Sequence, residues 1–264
     1  MPQIKVKDIN IEYKSSGEGF PLVMIMGLGG SLEWWEPPMI EEISKQYRTI
    51  IFDNRGIGKS DKPDMKYSIK MFTDDTVGLM NELKIERAHV LGISMGGMIA
   101  QEVVLNHPER VEKLVLCSTM AGMTGAVRFI ARLLGGVYKG RMKTPEKTRD
   151  MLISAIFSKD FVKANPDKIE RAKQTAFKIT PSFDEFKRQL DAIIKFDTRK
   201  RLKTINKPVL IMHGKQDTLI PYKASLELAQ LIPYPKLMLF DNSAHALFSQ
   251  EPEKVVKLLL EFLA

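Results

Sequence analysis

Residues 92–97 read Gly-Ile-Ser-Met-Gly-Gly, after the apolar run Val90-Leu91 and before a helical segment from Gly96 to about Asn106. A serine between two glycines in a strand–turn–helix setting is the arrangement that lifts a hydroxyl above a sheet. The reason is steric. The turn imposes an unfavourable backbone conformation on the serine, and side chains two residues to either side would collide, so glycine stands at both places. The hydroxyl then meets the positive end of a helix. Such a group attacks acyl carbonyls, provided that a base takes its proton and an acid orients the base.

In this setting the partners follow in the order serine, carboxylate, histidine. The strand-like run Val209–His213 continues as Gly214-Lys215-Gln216-Asp217, which puts Asp217 at the carboxyl end of a strand, where open α/β sheets place their sites. The run Leu237–Phe240 is followed by Asp241-Asn242-Ser243-Ala244-His245, a polar loop before the final helix. Ser94, Asp217 and His245 are therefore the candidate catalytic residues. Asp241 competes for the acid role but is expected to brace its own loop. Ser118-Thr119-Met120, just after the sixth strand, offers no carboxylate. His89, His107 and His213 read as scaffold residues.

Acyl transfer also needs backbone donors for the developing oxyanion, each contributing about 2.7–4 kcal/mol. The N–H of Met95 follows the nucleophile directly. The N–H of Leu28 lies in the loop Met26-Gly27-Leu28-Gly29-Gly30-Ser31 after the third strand. Gly27-Leu28-Gly29 with Asp53 imitates a dinucleotide fingerprint, but Leu32 replaces the third glycine and Pro37-Pro38 would break the cradling helix. Gly27, Trp34 and Met120 are expected to touch substrate. Met26, Met95, Met98 and Met123 cluster near the same loops and suit an adaptable acyl pocket.

These groups need a scaffold. Ile4–Lys7 and Ile11–Lys14 alternate like an antiparallel pair, and six short apolar runs follow: Leu22–Met26, Arg48–Phe52, Ala88–Leu91, Leu114–Cys117, Val209–His213 and Leu237–Phe240. Helical periods separate them, at Met71–Leu83, Met98–Val104, Leu226–Leu231 and Val255–Leu263. The alternation predicts an α/β fold with a mostly parallel sheet flanked by helices. No strand-like run occurs in residues 121–197, where Thr144-Pro145-Glu146 and the capping box from Ser182 to Glu185 start helices. Residues 1–120 and 198–264 are expected to form the core, and residues 121–197 an all-helical insert.

Composition narrows the classes. A chain of 264 residues with 44% hydrophobic and 27% charged residues is ordinary globular usage. Its single cysteine excludes an internal disulfide and a cysteine-based zinc site. The first residues lack a signal-peptide core, and the longest apolar run, Phe20–Gly30, is too short for a membrane span. A soluble, cytoplasmic protein, monomer or homodimer, is expected. Net charge is +8, and residues 121–200 alone carry 18 basic against 9 acidic side chains. No nucleic-acid module accompanies that charge, so nucleic acid is not an expected partner. A phosphate-bearing small molecule such as CoA or an acyl-CoA is the alternative.

With these residues in view, the chain resembles the serine hydrolases of the α/β-hydrolase fold along nearly its full length. Asp53-Asn54-Arg55-Gly56-Ile57-Gly58-Lys59-Ser60 is similar to the family's D-x-R-G-x-G-x-S turn, which is mainly structural. The Gly-Leu-Gly-Gly-Ser loop resembles that of small carboxylesterases and 3-oxoadipate enol-lactonase-like enzymes. Met26 departs from the histidine that many members carry there. The resemblance implies an eight-stranded sheet with a helical cap inserted after strand 6, and hydrolysis through an acyl-enzyme without metal or organic cofactor. A carboxylesterase for short- to medium-chain acyl groups is the expected function. A thioesterase or lactonase for an anionic substrate is the first alternative, and a ligand-binding protein of this fold with little turnover the second.

Overall fold

Two antiparallel strands, β1 (Gln3–Val6) and β2 (Ile9–Ser16), open the chain, paired through Ile4 and Ile11 as the alternation predicts. The computed structural model describes residues 2–123, 139, 144–174 and 181–264. Strands β3 (Phe20–Ile25), β4 (Tyr47–Phe52), β5 (Ala88–Ile93), β6 (Val111–Cys117), β7 (Val209–Gly214) and β8 (Lys236–Phe240) complete one eight-stranded sheet in the order β1-β2-β4-β3-β5-β6-β7-β8. From β4 onward the strands run parallel. Every residue of β5 and β7 is buried, as central parallel strands require.

Successive side chains in these strands serve opposite faces. Val23, Ile25, Val90, Val209 and Ile211 join one apolar cluster, and Leu22, Met24, Leu91, Leu210 and Met212 join the other. The first is covered by α2 (Ile69–Glu82) and α3 (Met95–Asn106), through Phe72, Met80, Ile99 and Val103. The second is covered by α1 (Pro37–Ser44) and the C-terminal helix (Pro252–Leu263), through Met39, Ile43, Val255 and Leu259. Burying each such side chain contributes about 1.5–3 kcal/mol. Pro37 and Pro38 start α1, since the first turn needs no intrahelical N–H. Between Gly30 and Pro37 there is only the single turn Leu32–Trp34, so no helix follows the glycine loop to cradle a pyrophosphate.

The described elements of the expected insert are helices, apart from one isolated bridge; 124–138, 140–143 and 175–180 lie outside the described residues. Its helices are α4 (Pro145–Ile156), α5 (Lys159–Ala164), α6 (Pro166–Gln174) and α7 (Phe183–Ile194). Thr144 caps α4, and Ser182 with Glu185 forms the capping box of α7. A bridge between Gly122 and Asp197 ties the two ends of the insert together. The chain then returns through β7, α8 (Lys223–Leu231), β8, the short α9 (Leu247–Gln250) and the C-terminal α10 (Pro252–Leu263).

His89, on β5, has its ring centre 4.8 Å from that of Phe20 and 5.6 Å from that of Tyr47, and among the described residues its Nδ1 has no partner. Its scaffold role is therefore apolar packing, with the imidazole incompletely satisfied. Burial, helped by Lys113, pushes its pKa down to about 4 from 6.5. The unfolded chain thus binds a proton below pH 6.5 that the folded chain refuses until about pH 4, so stability falls as pH drops through that window. The loss has a ceiling of about 3 kcal/mol. Urea unfolding at pH 7 and pH 4.5 is expected to show a smaller loss for His89→Phe than for wild type. Equal losses would remove His89 as the cause.

Candidate active site

The strand–turn–helix at Ser94 takes the conformation that its glycines anticipate. Ser94 has φ 55° and ψ −118°, a region that L-residues avoid. A Cβ on Gly92 would lie 2.1 Å from the carbonyl oxygen of Gly96, so no side chain fits there. The strained residue is held at both ends. Its N–H donates to Cys117 O at 2.9 Å, and Thr119 Oγ1 donates to its carbonyl at 2.7 Å.

Asp217 follows β7 and is 5% exposed; His245 follows β8 and is 6% exposed. His245 Nδ1 donates to Asp217 Oδ2 at 2.7 Å. That bond leaves Nε2 as the acceptor end of the ring. The other carboxylate oxygen accepts the N–H groups of Leu219 (2.9 Å) and Ile220 (2.8 Å). Burial alone would raise the pKa of Asp217. The adjacent His245 and the hydrogen bonds from His213 and His245 outweigh it and hold the carboxyl well below the usual range. Asp241, the competing acid, points instead to Lys215 at 2.6 Å.

Ser94 and His245 line one cavity, and among the described residues no hydrogen bond joins them. Nucleophile–base contacts are often loose without substrate and tighten when it binds.

Several residues that carry no role in the sequence pattern hold this geometry. His213, read as scaffold, is fully buried and bonded to the acid. Its Nε2 faces Asp217 Oδ2 at 3.1 Å and Ile220 O at 2.8 Å. Both are acceptors, so Nε2 carries the proton, and the Ser225 hydroxyl closes on Nδ1 at 2.6 Å. Ser118, with φ 45°, donates its hydroxyl to the carbonyl of His245 at 3.0 Å. Ser118 and Thr119, at the end of β6, thus tie the histidine loop and the serine turn to the same strand. The left-handed serine gives no sequence signal.

The glycine loop Met26–Ser31 is fixed from the core. Asn54 Nδ2 donates to Met26 O at 3.0 Å, and Asp53 accepts the N–H groups of Leu32 (2.7 Å) and Lys59 (2.8 Å). This is the structural work expected of the Asp53–Ser60 turn. Gly27 lets the loop approach Ser94: a Cβ there would sit 3.0 Å from Ser94 Cβ and 3.3 Å from Ile93 O. Among the described residues, neither Leu28 N–H nor Met95 N–H has a protein partner, whereas Gly29 and Gly30 N–H do. Met95 opens α3, so its N–H belongs to the unpaired first turn.

The cavity holds about 320 Å³. Gly27, Leu28, Trp34, Met120, Ser94 and His245 all line it. Met26, Met98, Met123 and Met151 add thioethers, and Leu152, Phe186 and Leu190 come from the insert. Met95 does not line it; its side chain is fully buried.

A family model described as alpha/beta hydrolase fold matches residues 21–252. A 2-hydroxymuconate semialdehyde hydrolase from a Pseudomonas strain is 30% identical over 99% of this chain and 93% of its own. A protein of Agrobacterium fabrum named as a carbamate hydrolase is 27% identical over 96% of both chains. The crystal structure of the enol-lactonase from Burkholderia xenovorans superposes with TM-score 0.88 and 26% identity, covering 99% of both chains. These names share hydrolysis and differ in substrate. The chain is a hydrolase and belongs to the α/β-hydrolase fold family.

Proposed function

We propose that the protein is a serine carboxylesterase for uncharged, apolar acyl groups of short to medium length. Ser94 is the nucleophile, His245 the base, Asp217 the orienting acid, and Leu28 and Met95 supply the oxyanion donors. Residues 121–197 act as the cap over the core formed by 1–120 and 198–264. The observation that carries the acyl preference is the cavity lining. Ser94 and His245 are its reactive side chains, and among the described residues no Lys, Arg, Asp or Glu joins them. An acid group on the acyl chain would be buried there without a counter-charge, which is costly.

In the proposed reaction Ser94 Oγ attacks the ester carbonyl while His245 Nε2 takes its proton. The carbonyl oxygen becomes an oxyanion facing the two N–H groups. Collapse expels the alcohol, which leaves with the proton from His245, and an acyl-serine remains. Water, deprotonated by His245, then releases the carboxylic acid and restores the serine.

A thioester such as acyl-CoA is the second reading, supported by a neighbouring cavity of about 570 Å³ that shares Met26, Trp34, Ile93, Ile156 and Ala246 with the first. Lys168 and Arg171 line it, opposed by Glu33 and Glu36. A series of p-nitrophenyl esters, with CoA as competitor at low and high salt, separates the two readings. Turnover should peak at short to medium chains, with an ester bearing a carboxylate on its acyl group at least about tenfold poorer, one uncompensated charge being worth more than 1.4 kcal/mol. A flat profile, or equal turnover of the charged ester, would overturn the acyl-pocket argument. CoA competition that weakens with salt would favour the thioester.

A further inference from the structure

Gln189 sits on α7 within the apolar face formed by Phe186, Leu190 and Ile193, and is 1% exposed. A carboxamide buried among apolar side chains is costly unless both of its ends are bonded. Both are, and each bond leaves the insert for the core. Oε1 accepts the N–H of Gly29 at 2.9 Å, and Nε2 donates to the carbonyl of Arg55 at 3.0 Å. Gly29 N can only donate and Arg55 O can only accept, so the amide has one orientation.

Arg55 is itself immobilised. Its guanidinium meets Asp75 in a two-point buried pair at 2.5 and 2.6 Å, both side chains being 3% exposed. Gln189 therefore connects a rigid ion pair to the glycine loop. Packing presses the same way: a Cβ on Gly29 would meet the Phe186 ring at 3.3 Å and Pro181 at 3.4 Å, and Leu28 packs into the insert's apolar cluster. The loop is thus clamped at Met26 O by Asn54 of the core and at Gly29 N by Gln189 of the insert. Leu28, whose N–H has no partner among the described residues, lies between the two clamps.

Resting on the esterase reading, we infer that Gln189 is a positioning residue: by holding Gly29 N–H it aims the adjoining Leu28 N–H at the oxyanion, so that the helical insert completes the oxyanion-binding loop. The effect belongs to the transition state, because charge reaches that oxygen only there. Losing one oxyanion donor outright costs about 10²–10³ in kcat, and misdirecting it costs less.

The test compares wild type, Gln189→Met, which removes both bonds at similar shape, and Gln189→Glu, which keeps an acceptor for Gly29 N–H. Each is assayed with a p-nitrophenyl ester for kcat and KM. Each is also titrated with an apolar trifluoromethyl ketone, which forms a tetrahedral oxyanion adduct, and with the product carboxylic acid. Gln189→Met is expected to lower kcat about 10–100-fold. Ketone affinity should fall by a similar factor, with KM and product affinity changed less than about threefold. Gln189→Glu should lose less of both. Unchanged kcat and ketone affinity in Gln189→Met would overturn the inference. So would equal losses of ketone and product affinity, or failure of both variants to fold, since either assigns Gln189 to structure alone. The esterase reading fails separately: wild type would then neither hydrolyse the esters nor be labelled at Ser94 by a fluorophosphonate, and the inference would fall with it.

Discussion

Ser94→Ala is expected to abolish ester turnover, lowering kcat about 10⁵–10⁶-fold with KM changed little, the scale of removing the nucleophile of a working triad. The variant keeps the fold for an identifiable reason. The bonds that hold residue 94 run from its backbone: N–H to Cys117, carbonyl from Thr119 and from Gly97 N–H. Alanine preserves all of them and tolerates the φ of 55° about as well as serine does. What is lost is the hydroxyl proposed as the acyl carrier, not a packing element. The remaining activity should be the residue left by oxyanion donors and binding, about 10³-fold over water. Single-turnover acylation and fluorophosphonate labelling, with a melting curve as control, check this. Burst kinetics retained in the alanine variant would remove Ser94 from the mechanism.

Asp217→Asn is expected to lower kcat about 10⁴-fold, through the wrong histidine tautomer, with little change in KM. The local bonding predicts the failure in detail. The aspartate accepts four N–H groups: Leu219 and Ile220 on one oxygen, His245 and His213 on the other. An asparagine has one oxygen and one NH₂ group. The backbone donors cannot change, so the amide oxygen turns to them and the NH₂ faces the two imidazoles. His245 must then present a bare Nδ1 and carry its proton on Nε2, where it can no longer receive one from Ser94. His213 meets the NH₂ with an Nε2–H that Ile220 O already requires. That second clash also lowers stability, so the variant should unfold at a lower urea concentration than wild type. Partial recovery of kcat at high pH would fit the tautomer argument; near-wild-type kcat at neutral pH would refute the orienting role.

The carboxyl of Asp217 also bears on acid stability. Its pKa is held below its ordinary value of 3.8, so this part of the stability is present above that value and is lost as pH falls beneath it. The window lies under the one in which His89 acts, and the two variants separate the contributions.

Much of this protein is legible in one dimension. Continuous apolar runs announce the central strands, because a strand buried on both faces must be apolar throughout, and alternation announces the first two. Gly92, Ser94 and Gly96 announce a strained turn, because only glycine fits where a Cβ would lie 2.1 Å from a backbone oxygen. The order serine, aspartate, histidine follows from strand order in the sheet. Both Asp217 and Asp241 follow a strand; Asp241 is set aside because it lies only four residues before His245, and the structure adds the 2.7 Å bond from His245 to Asp217 and the 2.6 Å pair of Asp241 with Lys215. Gln189 left one trace, a polar residue in the helical stripe Phe186, Leu190, Ile193, and such a trace does not name its partner.

The local steric and periodic rules thus determined the elements, their order and the strained serine, since each depends on neighbours within a few residues. Only the tertiary structure decided what grips the site. His213 on the acid, Ser118 on the histidine loop and Gln189 on the glycine loop join segments 4, 127 and 160 residues apart. The last two contacts exist only because the sheet and the insert bring remote polar groups together in a dry interior, where an unpaired donor is too costly to leave. The same assembly lined the cavity with methionine, tryptophan and leucine from separate segments, a selection that net charge along the chain does not foretell.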